Sequence, residues 1–151
     1  MSDIIFSASM IVCNEERFLE GCLESIKDVV DEIVIVDTGS TDRTKEIAAR
    51  YGARIFDFPW CGDFAAARNV ALDNCRGDWI LYIDADERLR HPGRDEVRRI
   101  LSDKRNAAYT VRFHPIGGYT AYKEYRIFMN DPRVRFESAI HETMLNTLLA
   151  A

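Results

Sequence analysis

Apolar positions along the chain switch repeatedly between two periods. Residues 4–13, "IIFSASMIVC", are apolar and rich in β-branched side chains, which predicts a strand. Phe18, Leu19, Cys22, Leu23, Ile26 and Val30 then recur at three- and four-residue intervals, the stripe of a helix with one buried face, and Asn14 is its expected N-cap. Residues 32–37, "EIVIVD", are a continuous apolar run closed by an acid, as in a parallel strand covered on both faces. Thr44, Ile47, Ala48 and Tyr51 return to helical spacing, and Gly52 stops that helix. A third strand, 53–58, ends at Pro59; Asp63 caps a helix running through Cys75, with Phe64, Ala67, Ala71 and Cys75 inward; residues 79–84, "WILYID", form the fourth strand.

Strands alternating with helices through short connections predict βαβ units, hence a mainly parallel sheet with flanking helices and right-handed crossovers. Beyond Leu89 the pattern changes. Val97, Ile100 and Leu101 mark one more short helix, after which "AYTVRF", "YKEYRIF" and "VRFESAIHETM" predict antiparallel strands and a closing segment, with "IGG" and "NDPR" as turns. The apolar tail "LNTLLAA" reads as a helix with no stop signal, so the 151 residues are expected to be one domain truncated at its C-terminus.

Charge and cysteine content narrow the function classes. A net charge of -5 with both signs interspersed and no basic stripe argues against a nucleic-acid partner. No apolar run reaches the roughly 20 residues that span a bilayer, and the N-terminus lacks a basic-then-apolar signal, so a cytoplasmic location is expected. A membrane-bound substrate would still draw the chain to a membrane surface. Cys13, Cys22, Cys61 and Cys75 show neither metal-ligand spacing nor a disulfide framework.

In an open α/β sheet, ligands bind beyond the carboxyl ends of the strands. Three of those ends are acidic: "CNEE" (13–16), "DTGSTD" (37–42) and "DADE" (84–87). Asp84 and Asp86 close together would raise each other's pKa, so a divalent cation is the economical partner; oxygen ligands suit Mg2+ or Mn2+. The competing reading is a solvated acidic turn. Asp37 is placed to accept from a ribose hydroxyl or base N–H, while Thr41 or Asp42 caps the following helix. Arg68 sits near the apolar stripe of a small-residue helix, and either reaches a diphosphate or base across the cleft or extends to the surface. His91 and His114 read as structural, whereas His141 beside Glu142 is placed to close a metal site. No dinucleotide-binding glycine fingerprint or P-loop occurs.

Taken together, "ASMIVCNEERFLEGCLESI", "DEIVIVDTGSTDRTKEIA", "GDFAAARNVAL" and "GDWILYIDADERL" resemble the catalytic domain of glycosyltransferase family 2, of GT-A fold, in particular its bacterial D-A-D-E members. "YRIFMNDPRVRFESAIHE" is similar to their R-x-F and R-F-x-G-x-x-H-E segment, with Ser138 where glycine is usual. The resemblance implies a metal-dependent inverting glycosyltransferase of the 2.4 class. Its donor would be a nucleoside-diphosphate sugar of UDP or GDP type, and its acceptor hydroxyl would lie on a glycan, a lipid-linked sugar or a protein. By the same resemblance Asn14, Glu15 and Asp37 hold the nucleoside, Arg68 contacts base or diphosphate, and Asp84 and Asp86 bind ribose and metal. Glu142 is the expected base, ahead of Asp131 and Glu137, and His141 a third metal ligand. A catalytically inactive or fragmentary sugar-nucleotide binding module is the alternative. A nucleotidyltransferase would need a glycine-rich basic loop where the chain has "NEER", and a ligand-free interaction domain would leave the three acidic strand ends without a purpose.

Overall fold

The computed structural model describes residues 6–118 and 120–151, so Ile4 and Ile5 of the first predicted strand lie outside it. The elements run β1 (Phe6–Val12), α1 (Leu19–Ile26), β2 (Glu32–Asp37), α2 (Thr44–Arg50), β3 (Arg54–Asp57), α3 (Phe64–Asn74), β4 (Trp79–Tyr82), α4 (Arg94–Leu101), β5 (Ala108–Phe113), β6 (Tyr122–Met129) and α5 (Leu145–Ala150). One six-stranded sheet has the order β3-β2-β1-β4-β6-β5. The first four strands are mutually parallel; β6 pairs antiparallel with β4 and with β5.

The period of two in the strands explains the layering. In β2, Ile33 and Ile35 join the core on the α1 and α2 side, while Val34 and Val36 join the core under α3. Every residue of β2 is buried, as its unbroken apolar run demands. Trp79, Leu81 and Ile80 divide between the same two cores along β4. Each such aliphatic side chain withdrawn from water contributes about 1.5–3 kcal/mol, which is what holds helices to both faces.

The two edges of the sheet differ in kind. At the amino edge Glu32 is almost fully buried, accepting from Ser7 Oγ, Arg54 Nη1, and the backbone N–H and Nε of Arg76. Burial alone would push its carboxyl up, but these hydrogen bonds draw it down to about 2. Because β6 runs antiparallel, its carboxyl end lies at this edge too: Asn130 donates to the carbonyls of Gly77 and Cys75. Asp131, bound to Arg133, therefore lies at the edge away from the carboxyl termini of β1, β2 and β4.

Three local expectations are corrected and one is met. The first helix begins only at Leu19, its cap position is Phe18 without a capping side chain, and Asn14 has φ 53°. Phe64 faces outward, 40% exposed, although Asp63 does cap α3 by accepting from Ala66 N. Residues 134–144 form no strand; the single Glu137–Thr143 bridge is flanked by positive φ at Ser138 and His141, a conformation incompatible with a continuous ladder. The predicted tail helix is present as α5.

Candidate active site

The carboxyl ends of β1, β2 and β4 lie side by side because β1 pairs parallel with both neighbours, Val12 opposite Asp37 and Ser9 opposite Tyr82. A cleft of about 510 Å³ opens there, bordered by Cys13, Glu15, Thr38, Arg68, Asp84, Asp86, His141 and Glu142. Trp60 and Phe64 form its aromatic lip, their ring centroids 4.6 Å apart.

Arg68 is the centre of this arrangement. Its side chain is 10% exposed and donates through Nη2 to Asp84 Oδ1 at 2.8 Å and through Nε to Glu142 Oε1 at 2.7 Å. The guanidinium lies within 5.3 Å of the Tyr82 ring centroid and 5.5 Å of that of Phe136. Burial lowers the Arg68 pKa, but Asp84 and Glu142 more than offset it, so the group stays charged. α3 can bring this cation so close to the sheet because Ala65, Ala67 and Ala71 leave room on the same helix. Arg68 thus ties β4 to the closing segment, 74 residues along the chain from α3.

The "DADE" turn is fixed from two sides. Glu87 Oε2 accepts from the backbone N–H of Asp84 at 2.9 Å, and the Glu87 N–H closes the turn onto Asp84 O. Arg88 donates to the carbonyls of Ala85, Glu87 and Phe18, crossing α1 at Gly21, where a Cβ would stand 2.6 Å from its guanidinium. Asp86 is left exposed at the cleft.

The β1–α1 and β2–α2 loops are clipped together. Asn14 Oδ1 accepts from Thr41 N, Thr44 Oγ1 from Glu15 N, and Asp42 from Glu16 N and Thr44 N. Asn14 is thereby a loop fastener that does not border the cleft, whereas Glu15 does. Asp37 is also off the cleft wall, 1% exposed; its Oδ1 accepts from Gly39 N and Ser40 N, while Oδ2 is buried without a partner among the described residues. An orphaned buried carboxylate oxygen costs about 1–3 kcal/mol unless something supplies a donor.

Burial, then Asp86, Asp84 and Asp42 in that order, push the Glu15 carboxyl up. Such crowding of acids beside an exposed Asp86 fits a divalent cation that takes one or two carboxylates and completes its shell from phosphate and water. Among the described residues no three His, Cys, Asp or Glu side chains are drawn together as a metal cluster, so a full protein cage including His141 is absent. Glu137, the other weak base candidate, is exposed, bonded to Asn146, and outside the cleft.

Sequence reasoning included Glu87 in the acidic end of the fourth strand but missed its partner Arg126, and it missed Arg88 and the Trp60–Phe64 lip. Arg126 had a signal: at period two it shares a strand face with the core residue Phe128. Trp60 and Phe64 gave none, since an aromatic residue beside a helix start is equally consistent with the core.

Comparison with known proteins identifies the family. The profile described as Glycosyl transferase family 2 matches residues 7–148. The chain belongs to glycosyltransferase family 2. It is 43% identical over 95% of its length to a TPR repeat-containing protein of Synechococcus elongatus, of which it covers 36%. The chain thus spans little more than a third of that relative. Its fold matches Staphylococcus aureus TarS 1-349 with a TM-score of 0.75 at 18% identity, over 89% of this chain and 50% of that one. Mycobacterium tuberculosis glucosyl-3-phosphoglycerate synthase, solved in complex with Mg2+ and uridine-diphosphate, matches with a TM-score of 0.51 at 30% identity, over 59% of this chain and 36% of that one. The α/β sheet with its antiparallel C-terminal part is the GT-A fold.

Proposed function

We propose that this domain binds a nucleoside-diphosphate sugar at the carboxyl edge of its sheet and transfers the sugar, with inversion, to an acceptor hydroxyl. The observation that carries the reading is the meeting of Glu15, Asp84, Asp86, Arg68 and Glu142 around one cleft, from four separate elements or loops. Family membership supports glycosyl transfer, and the Mg2+ and uridine-diphosphate complex of the synthase supports the donor class.

Asp86, with the second oxygen of Asp84, would hold Mn2+ or Mg2+ together with the donor diphosphate. When bound, the cation acts as a Lewis acid that neutralises charge growing on the leaving diphosphate oxygens. Asp37 Oδ2, buried without a partner among the described residues and next in sequence to the cleft residue Thr38, would accept a nucleoside N–H or O–H, relieving its unpaired state. Asn14 holds the two loops at the spacing the nucleoside needs. Glu142 is the base: it takes the acceptor hydroxyl proton as the acceptor oxygen bonds to the anomeric carbon, and the bond from that carbon to the diphosphate oxygen breaks with its electron pair leaving on the nucleoside diphosphate. Arg68 aligns Glu142 with the donor aspartate through one planar guanidinium, and its charge also lies beside the diphosphate position. His141 borders the same cleft and would complete the cation's shell once the donor is seated. The acceptor would be a glycan, lipid-linked sugar or protein; no helix among the described residues is long and apolar enough to cross a membrane.

Thermal melting with UDP or GDP, each with and without Mn2+, tests the reading. Metal-dependent stabilisation by one nucleotide is expected, about 2.7 kcal/mol at a hundredfold excess over Kd. No shift with either nucleotide would refute it. Binding without donor hydrolysis or transfer would instead identify a sugar-nucleotide binding module.

A further inference from the structure

The third acid of the "DADE" turn has no free oxygen to offer a ligand. Glu87 Oε1 is taken by Arg126 Nη2 at 3.0 Å, and Oε2 by Arg126 Nη1 at 2.9 Å and by the Asp84 backbone N–H at 2.9 Å. Arg126 is 7% exposed and comes from β6, one residue before the Ile127 that pairs with Leu81 of β4. The antiparallel register therefore delivers its guanidinium to the carboxyl end of β4, where the turn begins. Its Cζ lies 4.3 Å from the Tyr82 ring centroid and 4.6 Å from that of Phe113, and Nε donates to Glu124. A bidentate fork fixed by rings and a third carboxylate has little freedom left, so Glu87 has little freedom either.

From this juxtaposition we infer that Arg126 and Glu87 are a positioning pair: Arg126 fixes Glu87, Glu87 fixes the Asp84 amide, and the turn then presents Asp84 to Arg68 and Asp86 to the cation and diphosphate. The inference rests on the donor-site reading above. Arg126 touches neither donor nor acceptor; it acts through Glu87. Tyr82 joins the two halves of the site, since Arg68 and Arg126 both pack on its ring. The pair also accounts for an apolar strand ending in three acids: Arg68 answers one oxygen of Asp84, Arg126 answers Glu87, and Asp86 with the other oxygen of Asp84 is left for a cation.

Calorimetric titration of UDP, with and without Mn2+, separates this role from bulk stability. In Arg126→Met and Glu87→Gln the enhancement of UDP affinity by Mn2+ is expected to fall at least tenfold, while metal-free UDP affinity stays within twofold of the parent. Arg126→Lys, which keeps the charge but loses the fork, recovers part of the enhancement and serves if Arg126→Met fails to fold. The double variant Arg126→Met/Glu87→Gln loses no more than the worse single one, because the effect of Arg126 passes through Glu87. In the metal-free chain, hydrogen exchange at the Asp84 amide accelerates in the variants. A parent that responds to Mn2+, with variants that respond equally, overturns the positioning role alone; additive losses in the double variant overturn the route through Glu87. A parent whose UDP affinity ignores Mn2+ overturns the donor-site reading and this inference with it.

Discussion

Replacing Arg68 with Met removes the one cation shared by Asp84 and Glu142 while keeping an unbranched apolar stem against Tyr82 and Phe136. Two ion pairs, at 2.8 and 2.7 Å, are lost together. Breaking a fully buried pair costs about 3–5 kcal/mol because the partner is left uncompensated, whereas an exposed pair contributes about 0–1. Glu142 is 15% exposed and belongs near the first case; Asp84, at 37%, lies nearer the second. The expected loss is about 3 kcal/mol, which for a chain of this size lowers Tm by about 6–12 °C. Arg68→Lys retains one charge but cannot reach both acids in the same geometry, so about half the loss is expected. Urea unfolding followed by far-UV circular dichroism measures both, the slope with denaturant remaining that of the parent. A loss below about 1 kcal/mol for Arg68→Met would show that the guanidinium is not the fastening of the closing segment.

Three further outcomes follow from single contacts. Ser138 holds φ 75°, a region that costs a non-glycine residue about 1–2 kcal/mol, so Ser138→Gly, after the entropy glycine adds to the unfolded chain, raises stability by about 0.5–1 kcal/mol in the same urea assay. Its hydrogen bonds hold Glu32 down at about 2 in the folded chain, below the ordinary glutamate value of 4.5, so its contribution is complete above about pH 4.5 and drains away as the pH falls toward 2; the amount is about 3 kcal/mol, and unfolding of Glu32→Gln between pH 2 and 6 should lack that dependence. Asp63→Ala removes the acceptor for Ala66 N at the start of α3 and costs about 1 kcal/mol of thermal stability.

How far the sequence revealed these features depended on whether a signal was local. The four parallel strands and their helices were legible because period and burial coincide: β2 is the very run 32–37, and Gly52, with φ 71°, ends α2 where its freedom to adopt that conformation was anticipated. The acidic strand ends were legible because the parallel arrangement alone puts them on one edge. Asn14 was misread since a cap and a loop fastener draw on the same short amide, and only the long-range partner, Thr41, tells them apart. Residues 134–144 look extended by composition, yet Pro132 before them and the two positive φ residues within them fold that segment back toward Arg68. The pairing of Arg126 with Glu87 depends on the register between β4 and β6, 39 residues apart, which no local pattern encodes.

The sharpest trial of the cation-and-pyrophosphate site is the Asp86→Ala variant, titrated with UDP in the presence and absence of Mn2+ alongside the parent. Because Asp86 is exposed and borders the cleft, the variant should keep the parent's melting temperature without nucleotide and lose the gain in affinity that Mn2+ confers. If Asp86→Ala binds UDP and Mn2+ as tightly as the parent, the cation is held elsewhere and the assignment of this cleft is wrong.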